Sequence, residues 1–237
     1  MSQWIFPACD MGLKGTLRLF GDYKVDGREN VPTQGPVIVV SNHLSNVDPA
    51  LVAAAFPYRP AFLAKKELFA NPALGWFLRG YGAFPLDRGR ADLKALNWAL
   101  TQIRENNRAL IVFPEGTRSR SGALQKGHPG AAHLGLTSGV PMIPVGLAGS
   151  QDMKNVLRVF MPNTTVRVRI GKPFVIKKRA SRISREDMET ATAEIMIRIA
   201  RLLPQEYYGH YRDQVEAPLE VTVETSDSAP ETAPAGI

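Results

Sequence analysis

The sequence has a single cysteine and no long apolar run, and each absence excludes a class of protein. Cys9 alone excludes an intrachain disulfide and any metal site built from several thiolates. No stretch approaches the roughly 20 apolar residues that span a bilayer. Pro7 and Asp10 interrupt the early apolar segment, so we expect no secretory signal there. We therefore expect a cytoplasmic protein, or one attached peripherally to the cytoplasmic face of the cell membrane.

Basic residues are missing from the end of the chain and abundant before it. Residues 213–237 hold six acids and no lysine or arginine, whereas residues 1–212 hold 29 basic and 16 acidic residues, a formal charge of +13. Such a body favours polyanions such as nucleic acid, anionic lipid headgroups or phosphorylated substrates, although a solvated basic surface has the same composition. The tail at 213–237 is rich in proline, threonine, alanine and acid, and we expect it to be disordered.

Short apolar runs that alternate with helical patterns predict an α/β fold. The runs at 37–41 and 61–64, together with "ALIVFPEG" and "VPMIPVGLAG", are typical of buried strands, and "TTVRVRIGKPF" alternates like a half-buried strand. Helical segments separate these runs, and no internal repeat is present. We therefore predict one domain over residues 25–212, with a mixed, largely parallel sheet flanked by helices.

Three of the helical segments have clear boundaries or faces. "ADLKALNWALTQIREN" is amphipathic, and its apolar face is predicted to hold Leu93, Leu96, Leu100 and Ile103. "GAAHLGLTSG" is predicted to end at its last glycine, Gly139. "SREDMETATAEIMIRIARLL" begins with a Ser-x-x-Asp capping pattern and predicts a long helix.

Two segments have the composition of a membrane surface contact. In residues 1–24, Leu13, Leu17 and Phe20 recur at helical spacing with cations beside them. This pattern predicts an amphipathic helix that lies in a membrane surface, and it suits equally well a helix that covers the core of its own domain. The stretch at 71–84, "NPALGWFLRGYGAF", mixes aromatic residues with an arginine, which suits either the headgroup boundary or ordinary core packing.

A histidine and an aspartate stand in the loop after the strand at 37–41, in "SNHLSNVDP". Taken locally, Asp48 before Pro49 is typical of a helix N-cap, and His43 is typical of a partly buried, satisfied histidine. The loop is also short enough for the carboxylate to accept from one ring nitrogen of His43. The other ring nitrogen is then a base, as in the second half of a catalytic triad.

The sequence offers this base no obvious nucleophile of its own. There is no G-x-S-x-G elbow, and Cys9 lies far from the polar loops in sequence. A base without an enzyme nucleophile suits a reaction in which the hydroxyl of the substrate attacks an activated acyl group such as a thioester. A thiolate leaves readily, since a free thiol has a pKa of about 8.5.

Two further polar loops, "FPLDRGRAD" and "FPEGTRSRSG", carry groups that bind anions. Arg88 and Arg118 present guanidinium forks that match a phosphate, and Gly116 and Thr117 add close backbone approach and a hydroxyl. Glu115 is unusual beside a phosphate unless it pairs with an arginine or accepts from a substrate hydroxyl. The alternative is that these groups form ordinary surface ion pairs.

Four ordered blocks carry a resemblance to a known family. "NHLSNVD" resembles the N-H-x4-D signature of the glycerolipid acyltransferases, whose best-known members are the 1-acylglycerol-3-phosphate acyltransferases. "GAFPLDRGRAD", "FPEGTRS" and "VPMIPVG" resemble the second, third and fourth blocks of that family, in the same order. The resemblance covers roughly residues 25–150, and four blocks in order are far more specific than one H-x4-D.

The resemblance implies roles for individual residues. His43 is implied as the general base that takes the proton of a glycerol hydroxyl, and Asp48 as the group that orients it. Binding of the phosphorylated acceptor is implied for a set of residues in the second and third blocks: Arg88, Glu115, Gly116, Thr117 and Arg118. Pro144 is implied in shaping the fourth block, near the acyl or acceptor site.

The resemblance also implies the substrates. Family members transfer an acyl group from acyl-CoA or acyl carrier protein, without metal or redox cofactor, and the expected acceptor is a lysophosphatidic acid in phospholipid biosynthesis. Three alternatives stay open: an acyltransferase for another lysolipid or glycolipid, a hydrolase that activates water, and a non-catalytic basic module that binds lipid or nucleic acid. Against nucleic acid, the most basic loop contains Glu115 and no nucleic-acid-binding motif is present.

Overall fold

A computed structural model describes residues 5–33, 36–87, 92–106, 108–153, 164–177 and 183–225. The helices in these ranges are α1 (Ile5–Phe20), α2 (Asp48–Ala55), α3 (Pro72–Tyr81), α4 (Leu93–Asn106), α5 (Gly130–Ser138) and α6 (Arg185–Ala200). The strands in the same ranges are β1 (Asp22–Asp26), β2 (Val37–Ser41), β3 (Pro60–Lys65), β4 (Ala83–Leu86), β5 (Ala109–Val112), β6 (Met142–Ala148), β7 (Thr165–Ile170), β8 (Phe174–Ile176) and β9 (Thr222–Glu224).

The strands of the described residues form one mixed sheet. Its main order is β1-β7-β6-β2-β5-β3-β4, with β8 beside β6 and β9 beside β8. Strands β2 to β6 run parallel to one another, whereas β7 is antiparallel to β6. The five parallel strands therefore end on the same side of the sheet, which we call the carboxyl edge. Loops at this edge of an α/β sheet are the usual place for a ligand.

Successive residues of β2 pack into two cores, one on each face of the sheet. Val37 and Val39 pack with residues of α1, α2 and α3, whereas Ile38 and Val40 pack with residues of α4, α5 and α6. All four side chains are at most 1% exposed. Because both faces of β2 are covered, every position of the strand is apolar and the sequence shows no alternation.

The predicted fold class is confirmed: a single α/β domain with a largely parallel sheet between two layers of helices. β2 has the predicted bounds, and β7 alternates between buried and exposed positions as predicted. Helix α5 ends at Gly139, whose φ of 67° is left-handed, and Ser184 and Asp187 form the predicted capping box of α6. Local side-chain chemistry therefore sets these boundaries.

The apolar face predicted for α4 is partly wrong. Leu93 is 67% exposed, whereas Ala95 and Ala99 are completely buried together with Ile103. The small alanine side chains bring the helix close to the sheet, so the contact stripe is rotated toward them. Size, and not apolar character alone, decides which side of this helix faces the core.

Helix α1 covers the core of its own domain on one side. Leu13 and Leu17, whose spacing suited a membrane-facing stripe and a core-facing one equally, are buried in the core, whereas Phe20 is 49% exposed. The side chain of Ile5 at the start of the helix is also buried and lies against Gly80 of α3. Among the described helices, none combines the length and apolar character needed to cross a bilayer.

The predicted start of the disordered tail, residue 213, is wrong. Residues 213–225 are folded: Val215 and Val221 are buried, and β9 pairs with β8. The carboxylate of Glu194 on α6 accepts the backbone N–H groups of residues 220, 221 and 222 at 2.6–3.2 Å. Arg198, one turn later on α6, donates to the backbone carbonyl of residue 222 at 2.9 Å. Residues 226–237 lie outside the described residues.

Truncation after residue 212 is expected to destabilise the domain. It removes the buried side chains of Val215 and Val221 as well as the three N–H donors of Glu194, and burial of one such side chain contributes about 1.5–3 kcal/mol. Chemical denaturation measures the free energy of unfolding of the full chain, of this truncated chain and of a control truncation. Truncation after residue 225 is the matched control, because it keeps every contact described for β9. Equal stability of the two shortened chains would contradict the assignment of 213–225 to the fold.

Candidate active site

His43 lies two residues beyond β2, at the carboxyl edge. The loop is fixed to β6 by Asn42, whose side-chain amide donates to the carbonyl oxygen of Leu147 and whose side-chain oxygen accepts the N–H of the same residue, both at 2.8 Å. This pair of bonds continues the sheet with a side chain in place of a strand. The His43 ring stacks on Phe113, which follows β5, at a centroid distance of 4.3 Å. The ring is therefore held in a defined orientation.

His43 and Asp48 form the predicted hydrogen-bonded pair. Nδ1 of His43 lies 2.8 Å from Oδ2 of Asp48, and Asp48 is completely buried. Oδ2 also accepts the backbone N–H groups of Leu44 at 2.6 Å and Ser45 at 2.7 Å. Because a carboxylate only accepts, Nδ1 carries the ring proton and Nε2 is left with its lone pair. Nε2 makes no hydrogen bond with any described residue.

The N-cap role predicted locally for Asp48 is wrong. Val47 occupies the cap position, and Asp48 is the first residue of α2. Its carboxylate bonds the N–H groups of the preceding loop instead of those of the helix. One oxygen, Oδ2, therefore both closes the loop and meets the imidazole, while Oδ1 is buried without a partner in the described part of the chain.

Glu115 connects the third block to the loop of His43. Its Oε1 accepts the backbone N–H of His43 at 2.9 Å, and its Oε2 accepts the backbone N–H of Gln125 at 2.9 Å. The carbonyl oxygen of His43 in turn accepts the N–H of Ser119 at 2.7 Å. The backbone N–H and the backbone carbonyl of His43 are thus both bonded to the loop that follows β5. We call this arrangement the His43 clamp.

The carboxylate of Glu115 bonds protein donors in this structure, whereas the sequence predicted that it contacts the acceptor. The residue is only 2% exposed, and both carboxylate oxygens are occupied by protein donors. Burial raises the pKa of the Glu115 carboxyl, and the N–H donors of Gln125 and His43 act in the opposite direction. The Glu115 carboxylate therefore bonds the loop of His43 on both oxygens, and its contact with the acceptor stays a prediction.

The next three residues of the third block form an open turn. Gly116 has a φ of +68°, and its N–H donates to the carbonyl oxygen of Phe113 at 3.0 Å. Thr117 and Arg118 are exposed, and their backbone N–H groups have no hydrogen-bond partner among the described residues. The guanidinium of Arg118 is likewise unpaired within that part of the chain. Free backbone donors beside a cation, after a left-handed glycine, are well suited to an anion.

Two predicted site residues remain, Arg88 and Pro144. Arg88 lies outside the described residues, so its placement stays a prediction. Its neighbour Asp87 directly follows β4 at the carboxyl edge and bonds Lys66 at 2.6 Å. Pro144 is buried within β6, opposite Val40, and packs against Gly171. It supports the sheet beneath the loops and brings no polar group to them.

Three residues of the site were not identified from the sequence: Asn42, Phe113 and Gln125. Asn42 and Phe113 stand inside the recognised blocks, so proximity to His43 and Glu115 was the available signal. Gln125 lies outside the blocks, and its side-chain amide donates to Oε2 of Glu115 at 3.3 Å. A contact ten residues apart across a loop leaves no periodic pattern in the sequence.

The serines that flank His43 or bond its backbone direct their hydroxyl groups at backbone carbonyls, and Ser41 donates to Asn42 at 3.2 Å. Ser45 donates to Met153 at 2.7 Å, and Ser119 donates to Ala123 at 2.6 Å. None of these hydroxyl groups bonds the imidazole. Among the described residues, the His43 ring therefore has a carboxylate on one nitrogen and no protein nucleophile on the other.

Comparison with known proteins agrees with this site. Residues 22–148, more than half of the chain, match the protein family described as Acyltransferase. The match begins with β1 and ends with β6, so it contains His43, Asp48 and the His43 clamp. The chain belongs to the acyltransferase family.

Named relatives give the same family in more detail. The chain is 34% identical over 178 residues to a 1-acyl-sn-glycerol-3-phosphate acyltransferase of Saccharomyces cerevisiae, covering 73% of this chain and 58% of the relative. It is 30% identical over 184 residues to the protein of that name from Streptococcus pneumoniae, covering 77% and 66%. The chain thus spans less than two thirds of the length of either relative.

A solved structure is also similar. The crystal structure of the 1-acyl-sn-glycerophosphate (LPA) acyltransferase PlsC from Thermotoga maritima superposes with a TM-score of 0.59 at 27% identity. The superposition covers 80% of this chain and 76% of that chain. The two proteins therefore share their fold over most of this chain.

Replacement of Glu115 by glutamine is expected to destabilise the protein. The amide nitrogen of the new side chain must face the N–H of either His43 or Gln125, so one buried donor loses its acceptor at a cost of about 1–3 kcal/mol. Urea unfolding measures the change. Glu67→Gln is the matched control, because the Glu67 carboxylate is exposed and its ion pair with Lys65 Nζ is long, at 3.9 Å. Equal midpoints for the two variants would contradict the clamp.

Proposed function

We propose that the protein transfers a fatty acyl group from a thioester donor to the free hydroxyl of a lysophosphatidic acid, giving phosphatidic acid. The observation that carries the proposal is the buried His43–Asp48 pair, in which Nδ1 is bonded to the carboxylate and Nε2 has no partner among the described residues. The names of the relatives from Saccharomyces cerevisiae and Streptococcus pneumoniae support the choice of acceptor.

The proposed reaction uses His43 as a general base and then as a general acid. Nε2 takes the proton of the acceptor hydroxyl while its oxygen attacks the carbonyl carbon of the thioester. The tetrahedral intermediate collapses with cleavage of the carbon–sulfur bond, and the thiolate takes the proton from Nε2. Asp48 stabilises the imidazolium that exists between the two transfers and keeps the proton of Nδ1 in place.

The acceptor is proposed to bind through its phosphate at the turn of the third block. Thr117 and Arg118 offer backbone N–H groups, and Arg118 a guanidinium, that have no partner within the part of the chain that the structure describes. Arg88 is proposed as a second cation, from the loop after β4. Ser119, the next residue, donates its N–H to the carbonyl oxygen of His43 at 2.7 Å, so phosphate binding and the base are joined by one short segment.

The donor is proposed to be acyl-CoA or acyl carrier protein. A thioester is already activated, and its thiolate is a good leaving group, so this chemistry requires no metal or redox cofactor. Direct attack by the acceptor hydroxyl also requires no acyl-enzyme intermediate, which agrees with the committed hydroxyl groups of Ser45 and Ser119.

His43→Ala and Asp48→Asn test the proposal. Each variant is expected to lower acyl transfer from acyl-CoA to lysophosphatidic acid by about 10²–10⁴-fold, the usual contribution of general acid–base catalysis. Mass spectrometry of the products, with several lysolipids offered in parallel, identifies the acceptor. His133→Ala is the control, since the His133 ring contacts Thr137 on α5 and takes no part in the site.

Three outcomes would each contradict a different part of the proposal. Full activity of His43→Ala and Asp48→Asn would exclude the catalytic pair. Acylation of a different lysolipid, with lysophosphatidic acid left unchanged, would exclude the proposed acceptor. Release of acyl groups from CoA without any acceptor would make the protein a hydrolase.

We also propose that the carboxyl edge contacts an anionic membrane from the cytoplasmic side. Asp22 follows α1 and pairs with Thr165, while Arg167 pairs with Ala148 at the end of β6. The end of α1 therefore lies at the carboxyl edge, where His43 also lies. A membrane at this edge would bring a lysolipid close to the catalytic pair.

Large apolar side chains are exposed along the same edge. Leu19 and Phe20 end α1, Leu68 follows β3, Leu74 lies in the first turn of α3, and Leu93 begins α4. Their exposed fractions are 76%, 49%, 44%, 40% and 67% in that order. Exposed cations beside them, such as Arg18 and Lys65, suit an anionic leaflet.

The double variant Leu19→Ser with Phe20→Ser is expected to bind membranes about tenfold more weakly, because two apolar side chains no longer enter the interface. Co-sedimentation with vesicles of phosphatidylglycerol and phosphatidylcholine measures binding. Met11→Ser is the matched control, because Met11 is 74% exposed on the same helix but two turns farther from the carboxyl edge. An equal loss in both proteins would place the contact elsewhere.

A further inference from the structure

His128 lies against the turn that the proposed function assigns to the acceptor phosphate. Its backbone N–H donates to the carbonyl oxygen of Pro114 at 2.8 Å, which closes the loop between β5 and α5. A Cβ atom built on Gly116 would lie 3.0 Å from Cδ2 and 3.6 Å from Nε2 of the His128 ring. The imidazole thus occupies the space that a side chain at position 116 would fill.

The backbone on both sides of His128 is fixed. The N–H of Gly127 donates to the hydroxyl of Tyr211 at 2.9 Å, and a Cβ on Gly127 would lie 2.8 Å from Cγ of Met196. On the other side, Pro129 caps α5. The position of the ring beside Gly116 therefore follows from packed elements on the chain before and after it, and not from the loop alone.

The ring itself is exposed and has no hydrogen-bond partner among the described residues. The charged and titratable groups on the surrounding elements are Glu115, Arg118 and Lys126 in the same loop and Tyr211 beside Gly127. The carboxylate of Glu115 is committed to the His43 clamp, and Arg118 and Lys126 are exposed cations. An imidazole held in place, unpaired and among cations is suited to an anionic ligand.

We propose that His128 binds the phosphate of the acceptor, together with the backbone N–H groups of Thr117 and Arg118. A histidine ring offers an N–H donor whether it is neutral or charged, so the contact exists in either state. His128 would then help the protein to prefer an acceptor with a phosphate monoester over the same lipid without one. This inference rests on the proposed function, because it deepens the acceptor site of that reaction.

Both its backbone conformation and its contact with His128 favour a glycine at position 116. A residue with a Cβ would be strained at a φ of +68° and would press on the ring at 3.0 Å. The glycine thus makes the turn possible and allows the imidazole to lie against it.

Steady-state kinetics with two acceptors tests the proposal. His128→Ala is expected to raise the KM for lysophosphatidic acid about tenfold, because a hydrogen bond to a charged group is lost. Its KM for monoacylglycerol, which has the same acyl chain and no phosphate, is expected to stay unchanged, and kcat is expected to stay within about twofold for both acceptors. His128→Lys restores a fixed donor and is expected to recover most of the affinity for lysophosphatidic acid.

His133→Ala is the matched control, since this second histidine lies on α5 and its ring approaches Thr137 at 3.5 Å. His128→Gln replaces His128→Ala if the melting temperature of the alanine variant shows a loss of fold. A loss of kcat without a change in KM, an equal rise in KM for both acceptors, or no recovery in His128→Lys would overturn the proposal.

Calorimetric binding of glycerol 3-phosphate separates this inference from the proposed function. If the wild-type protein acylates no lysophosphatidic acid, the proposed function fails, and the calorimetry still tests His128. Binding that His128→Ala weakens and His133→Ala does not would support the phosphate contact. Equal binding by all three proteins would overturn it.

Discussion

One carboxylate oxygen, Oδ2 of Asp48, is the constraint on which the site depends. It accepts from Nδ1 of His43 and from the N–H groups of Leu44 and Ser45, all within 2.8 Å. The bond that fixes the imidazole therefore also closes the loop that carries it. Because Asp48 is completely buried, no water competes for these donors, and the single negative charge is available to an imidazolium during proton transfer.

The His43 clamp extends this constraint to the rest of the sheet. Glu115 holds the N–H of His43, Ser119 holds its carbonyl oxygen, and both residues belong to the loop after β5. Asn42 fixes the loop of His43, which follows β2, to β6. Three neighbouring strands thus position one imidazole. A base that is held from its backbone as well as from its ring needs little reorganisation when an acceptor arrives.

The sequence predicted the fold and the hydrogen bond between His43 and Asp48, because both leave local patterns. Buried parallel strands are unbroken apolar runs, and the four ordered blocks include His43, Asp48 and the turn at residues 116–118. The remaining features depend on contacts between distant residues. The small size of Ala95 and Ala99 rotated α4 toward the sheet, and three N–H bonds to Glu194 ordered a segment with the composition of a disordered tail. Gln125 reaches Glu115 across ten residues, and His128 reaches Gly116 across twelve. No periodicity reports such contacts.

The tautomer of His43 is the most direct measure of the central claim. In protein with ¹⁵N-labelled histidine, NMR of the ring nitrogens distinguishes a protonated Nδ1 from a protonated Nε2. We predict that neutral His43 carries its proton on Nδ1, with a strongly hydrogen-bonded proton signal, and that Nε2 is unprotonated. A proton on Nε2, or rapid exchange between the two tautomers, would show that Asp48 does not orient the ring and would contradict the account of His43 as the base.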